Sequence, residues 1–140
     1  MIGTKALISL MQVWRDRRGQ DLIEYALMAG FVAVAAGAAG THALADDHAR
    51  LLVDLASRYL LLHSAALLGL AHFGRAGTGG WLVETAFWLF AAGMLLFGGG
   101  LLLSATIGLG VFGWIVPVGG TAFMLGWLAV AGLGLRRLGQ

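Results

Sequence analysis

Long apolar stretches alternate along this chain with short polar ones. Charged residues gather around positions 5 to 24, 46 to 58, 75 to 84 and 136 to 137, and the stretches between carry almost none. An ionised side chain near the centre of a bilayer costs roughly 2.5–3.5 kcal/mol on insertion scales, so a membrane imposes this spacing. At about 1.5 Å per residue, an apolar helix of ~20 residues crosses a hydrocarbon core of about 30 Å. The pattern predicts an all-α, polytopic membrane protein with four transmembrane helices over about 22–41, 55–73, 81–107 and 111–135. These form one domain over 22–135, preceded by an amphipathic helix over 1–21 and followed by a short tail over 136–140.

Within this frame the first span is apolar except for Glu24. The stretch 41–58 sets Asp46, Asp47, Arg50 and Asp54 among leucines and alanines, which suits an amphipathic helix on the membrane surface leading into the second span. Arg50/Asp54 and Asp54/Arg58 are each spaced four apart, so both pairs can share a helix face. A glycine-rich turn over 74–80 precedes Trp81, placed as an interfacial anchor, and 108–110 makes the tight turn before the fourth span. Pro117 should kink that span.

Composition agrees with a membrane. Of 140 residues, 59% are hydrophobic and 11% charged, and the mean hydropathy is +0.86, which leaves too little polar surface for a soluble fold. The net charge of +2 and pI near 9.7 do not imply nucleic acid, because the basic residues sit at the ends of apolar segments rather than along a stripe. Lys5, Arg15, Arg17, Arg18, Arg75, Arg136 and Arg137 fall on one side of the four-span topology, and Arg50 and Arg58 on the other. The bias predicts both termini in the cytoplasm. With no cysteine, the chain has no disulfide, thiolate nucleophile or thiolate metal site.

Many of the 23 glycines lie inside the spans, where small residues let helix backbones approach closely. Gly98, Gly99 and Gly100 in the third span and Pro117, Gly119 and Gly120 in the fourth are candidate packing positions, and Gly100, Ser104 and Gly108 form a row of small residues. Packing within one bundle is the simpler expectation. A homo-oligomeric contact is the alternative.

The N-terminal cluster Arg15, Arg17, Arg18 follows a short apolar stretch, unlike a secretory signal, and reads as an interfacial helix. The run Arg17-Arg18-Gly19-Gln20-Asp21-Leu22-Ile23-Glu24-Tyr25, followed by an apolar helix, resembles the processing site of Flp-type pilins. The resemblance covers about 7–38. It implies cleavage by a prepilin peptidase between Gly19 and Gln20, with Glu24 pairing with a neighbouring subunit's new amino terminus and Tyr25 beside it. Three further spans would resist extraction into a filament. Without the resemblance, Glu24 is an interfacial residue at a cytoplasmic helix end.

Later motifs resemble a second family, small bacterial inner-membrane proteins known as domain of unknown function 423. They are Gly37-Ala38-Ala39-Gly40-Thr41-His42-Ala43-Leu44, then Tyr59-Leu60-Leu61-Leu62-His63-Ser64-Ala65-Ala66-Leu67, then Leu96-Phe97-Gly98-Gly99-Gly100, and finally Pro117-Val118-Gly119-Gly120 with Gly126-Trp127. The series covers about 30–135. It implies a four-helix membrane protein and brings no activity with it. Glycines stand at 98 and 100 where the family tends to have serines.

Candidate chemistry is sparse. In this topology His42 ends the first span and His63 lies near the start of the second, so the two could approach each other and, with Asp46 or Asp47, bind a metal or relay protons. Nothing fixes a third ligand, and helix-packing histidines, with Tyr59 one turn from His63, are the simpler expectation. His72, Arg75 and Glu84 flank the second loop as a solvated cluster. The glycine-rich 77–80 lacks the Gly-Lys-Ser/Thr end of a phosphate loop and reads as a linker. No catalytic order, cofactor motif or nucleic-acid motif stands out. The expected partner is membrane lipid, and the expected role is structural or modulatory in a bacterial inner membrane. A pilin-like protein and a small transporter component are the alternatives.

Overall fold

The computed structural model describes residues 2–75, 80–108, 110 and 113–139, and side chains from Gln20 onward except those of Arg75 and Arg137. Every regular element among them is helical: α1 (Ile2–Ala43), α2 (Asp47–Arg75), α3 (Gly80–Gly93), α4 (Gly99–Thr106) and α5 (Ile115–Leu138). One wide turn of π-helix, Met94–Gly98, joins α3 to α4, so the third span is a single rod with a bulge. Four helical stretches are long and apolar enough to cross a membrane: Gln20–Ala43, Asp47–Gly74, Gly80–Thr106 and Ile115–Arg136.

Two elements differ from the sequence expectation. The leader over 1–21 is not a separate helix, because α1 runs through it without a break. The stretch 41–58 is likewise divided otherwise than expected. α1 ends at Ala43, and Asp46 caps α2 by accepting a 2.7 Å hydrogen bond from the Ala49 amide, satisfying one of the free donors of the first turn. From there one 29-residue helix carries the charged residues and the apolar ones together. At about 1.5 Å per residue it is some 13 Å longer than a ~30 Å hydrocarbon core, which leaves its charged first turns outside the lipid tails.

α1 and α2 pack as an antiparallel hairpin along a seam of small residues. Ala26, Ala33 and Gly40 are buried on α1, and Gly30 and Gly37 between them face the two buried serines of α2. The Ser57 hydroxyl donates to the Ala33 carbonyl at 2.8 Å and the Ser64 hydroxyl to the Ala26 carbonyl at 2.5 Å. A methyl group on Gly30 or Gly37 would press on these hydroxyls.

The third span packs against both α2 and α5. Aromatic rings there fill notches left by glycines. Phe123 of α5 covers Gly93 of α3, and Phe90 of α3 covers Gly126 of α5. Gly98 receives Leu60 of α2. At Gly119 the contact is backbone to backbone, since a methyl group there would overlap the Phe97 amide nitrogen in the wide turn, and Gly120 lies against the Phe97 ring. Gly100 is buried, whereas a methyl group on Gly99 would meet nothing within 4 Å among the described residues. The row from Gly100 through Ser104 does not reach Gly108, because α4 ends at Thr106 and Gly108 turns the chain at φ +74°. Such positive values are open to glycine at no steric cost.

Pro117 does not kink α5. It is the third residue of the helix, where its missing N–H falls among the donors that have no intrahelical partner, and α5 continues unbroken to Leu138. The fourth span also begins later than 111, since residues 113 and 114 are in a turn and 111–112 lie outside the described residues.

Candidate functional site

The most deeply buried polar side chain among the described residues is His63, 2% exposed, on the face of α2 that meets the third span and α5. Its ring lies parallel to that of Phe123, with centroids 3.6 Å apart and planes 13° apart, and meets Phe90 edge-on at 5.2 Å. Nδ1 is 2.8 Å from the Tyr59 carbonyl oxygen, and Nε2 is 3.2 Å from the indole nitrogen of Trp127. A carbonyl can only accept and an indole N–H can only donate. The geometry therefore selects the neutral imidazole with its proton on Nδ1, donating to Tyr59 and accepting from Trp127.

Both edges of this box are defined by spacing of four on a helix. Tyr59 and His63 share one face of α2, and Phe123 and Trp127 share one face of α5. Tyr59 stacks obliquely on Phe97 at 4.7 Å, and Phe90 meets Trp127 at 5.3 Å. The wide turn at Met94–Gly98 places the Phe97 ring in this group, 5.7 Å from Phe123. Tyr59 and Trp127 remain 39% and 43% exposed, so the box is sealed inside and open at its rim.

His42 and His63 do not come together. His42 is exposed at the end of α1, whereas His63 lies sixteen residues into α2, roughly 24 Å along its axis. The sequence places the two close only if the second span begins near 55, and the Asp46 cap starts the helix earlier. Among the described residues no three His, Asp or Glu side chains gather as a metal site would require.

At the end of the molecule that bears α2's N-terminus, Asp54 and Arg58 form the expected pair, at 2.8 and 3.1 Å, exposed to solvent. Arg50 does not join Asp54. It turns back to the Leu44 carbonyl at 2.6 Å and to Asp47 at 3.5 Å, closing the turn at 44–46. At the other end His72 is exposed with its ring edge-on to Phe73, Glu84 is exposed, and the Arg75 side chain lies outside the described residues, as do positions 77–79 of the linker.

Gly19 lies within the α1 backbone, and its surroundings fall outside what is described. Gln20 donates its amide to Glu24 at 2.7 Å on an exposed face. Tyr25 turns the other way, meeting Phe87 edge-on at 5.9 Å and donating its hydroxyl to the Ala91 carbonyl at 3.4 Å.

Sequence reasoning found Tyr59 and His63 but missed their partners Phe90 and Phe123 and the serines Ser57 and Ser64. The serines carried a legible signal, a spacing of seven that matches Gly30 and Gly37. The motif pieces that lie far apart in sequence meet here: Tyr59 and His63, Phe97 with Gly98, Gly119, and Trp127 all contribute to one box or its walls.

An all-helical bundle with four membrane-length helices and an aromatic interior closed around one histidine defines a polytopic membrane protein. The chain belongs to the family described as "Protein of unknown function (DUF423)", whose model matches residues 36–120. It is also similar to the UPF0382 membrane protein of Haemophilus influenzae, 32% identical over an alignment that covers 74% of this chain and 85% of that protein. No solved structure matches the chain. The family match begins at 36 and leaves nearly all of the pilin-like stretch outside it.

Proposed function

We propose that the protein serves a structural or modulatory role in a bacterial inner membrane, with both termini in the cytoplasm, and is not an enzyme. The observation that carries this reading is the full use of His63: both ring nitrogens are engaged by protein groups, and the ring is stacked on Phe123. A metal ligand or proton carrier needs a nitrogen free to bind or exchange, and here that would cost the bond to Trp127. The placement of Lys and Arg in the sequence supports the orientation. Proteoliposomes provide the test. Equal ion and proton flux for wild type and His63→Ala agrees with the proposal, and a flux that disappears with His63 would replace it with the third class, a transporter or channel component.

A second reading, processing as in Flp-type pilins, rests on the resemblance over 7–38, and Gln20 and Glu24 lie on an exposed face one turn apart. Leu22 and Ala26 are buried in the bundle and Tyr25 is bonded to Ala91, so cleavage after Gly19 would free the leader while leaving the first span docked. The intact mass decides this. A mature chain starting at Gln20, lost in Gly19→Ala, supports processing, and an intact leader in cells with an active prepilin peptidase refutes it.

A further inference from the structure

Among the described residues, Arg136 reaches no carboxylate. Its guanidinium carbon lies 5.8 Å from the ring centroid of Trp81, a cation–π contact between the last turn of α5 and the first turn of α3. Trp81 is 62% exposed. Below the pair the two helices are packed, with Leu82 and Leu133 buried and only the room of a methyl group between Gly132 and the Leu82 side chain, so the pair is positioned by helices rather than by a loop.

The contact with the ring takes up no hydrogen-bond acceptor, and among the described residues no acceptor engages the Arg136 N–H donors. Those donors match a phosphate in a bidentate manner. An indole at the boundary between headgroups and acyl chains is itself a favoured interfacial anchor. The charge of this end fits as well. Together with the leader and the C-terminal tail it holds seven Lys and Arg against Asp16, Asp21, Glu24 and Glu84, whereas the opposite end holds Arg50 and Arg58 against Asp46, Asp47 and Asp54.

We propose that Arg136, oriented by Trp81, binds the phosphate of an anionic phospholipid headgroup in the adjoining leaflet. This rests on the membrane-spanning reading and is independent of which side of the membrane the termini occupy. The occupant is a lipid rather than a free anion, because the exposed Trp81 ring beside the guanidinium needs an apolar neighbour that inorganic phosphate does not supply.

The test uses the full chain reconstituted in vesicles of phosphatidylcholine with a minor fraction of phosphatidylglycerol, and compares quenching of tryptophan by brominated forms of each lipid. Wild type should prefer the anionic lipid, and Arg136→Gln should lower that preference about fivefold, the order expected for one arginine at a charged surface. Arg136→Lys should keep part of the preference, and Arg50→Gln, at the opposite end, should show none of the loss. Equal preference in wild type and Arg136→Gln overturns the proposal, as does an equal loss in Arg50→Gln, which would mean bulk charge alone. Inorganic phosphate that abolishes the preference also overturns the lipid assignment. Extraction of the chain from the vesicles at alkaline pH would instead defeat the membrane-spanning reading, so the two failures are distinct.

Discussion

His63 owes its place in the interior to two partners that between them use both of its nitrogens, and each can be removed separately. Trp127→Phe keeps most of the ring and deletes the donor to Nε2. Hydrogen bonds between transmembrane helices average ~0.6 kcal/mol, so the loss should be about 0.5–1 kcal/mol. His63→Ala removes the stack on Phe123 as well, leaves the indole N–H unpaired and opens a cavity; it should cost about 3–4 kcal/mol. Reversible unfolding in mixed micelles measures both, and a histidine variant no worse than the tryptophan one would contradict the central place given to the ring. Tyr59 and His63 were recognisable in the sequence as a pair one turn apart. Their partners were not, because which face of α5 meets α2 depends on the wide turn and on Gly119, and neither leaves a periodic mark.

At the level of single helices, the spans themselves were legible, since hydropathy and the placement of charge follow directly from the cost of burying ions. Their junctions were less so. The charged stretch before the second span looked like an element of its own, and a single side chain, Asp46, instead begins one long helix there. Asp46→Ala should destabilise the protein by about 1 kcal/mol through loss of this cap, seen as faster amide exchange over the first turn of α2. Glycines of equal appearance also differ in what they do. Gly119→Ala must push the Phe97 backbone and should cost about 1–3 kcal/mol, while Gly99→Ala, facing open surface, should change stability by less than ~0.5 kcal/mol. Thermal unfolding of the two single variants distinguishes them.

For the whole molecule, the absence of cysteine makes orientation directly measurable. Single cysteines placed at Asp47 and at Gly139 should behave oppositely in cells with a permeable outer membrane. Asp47→Cys should react with an impermeant maleimide, and Gly139→Cys should react only after the inner membrane is opened. The reverse pattern would invert the topology while leaving the bundle intact. That bundle is held across its middle by residues from α2, the third span and α5, which is why the family motifs read as isolated fragments along the chain and yet form one unit in space. The sequence could place each fragment on a helix; the pairing of fragments required the third dimension.

The two serine bonds along the α1–α2 seam are seven residues apart on each helix. As the hairpin assembles in lipid, a slide of one turn one way would set the two hydroxyls against Ala33 and Ala26, and the other way would bring Ser57 beside Gly40 but press Ser64 against Ala33. A slide of two turns would bring only one of the two back to a matching position. The seam thus works as a vernier: among these alignments only the observed one seats both hydroxyls in glycine notches.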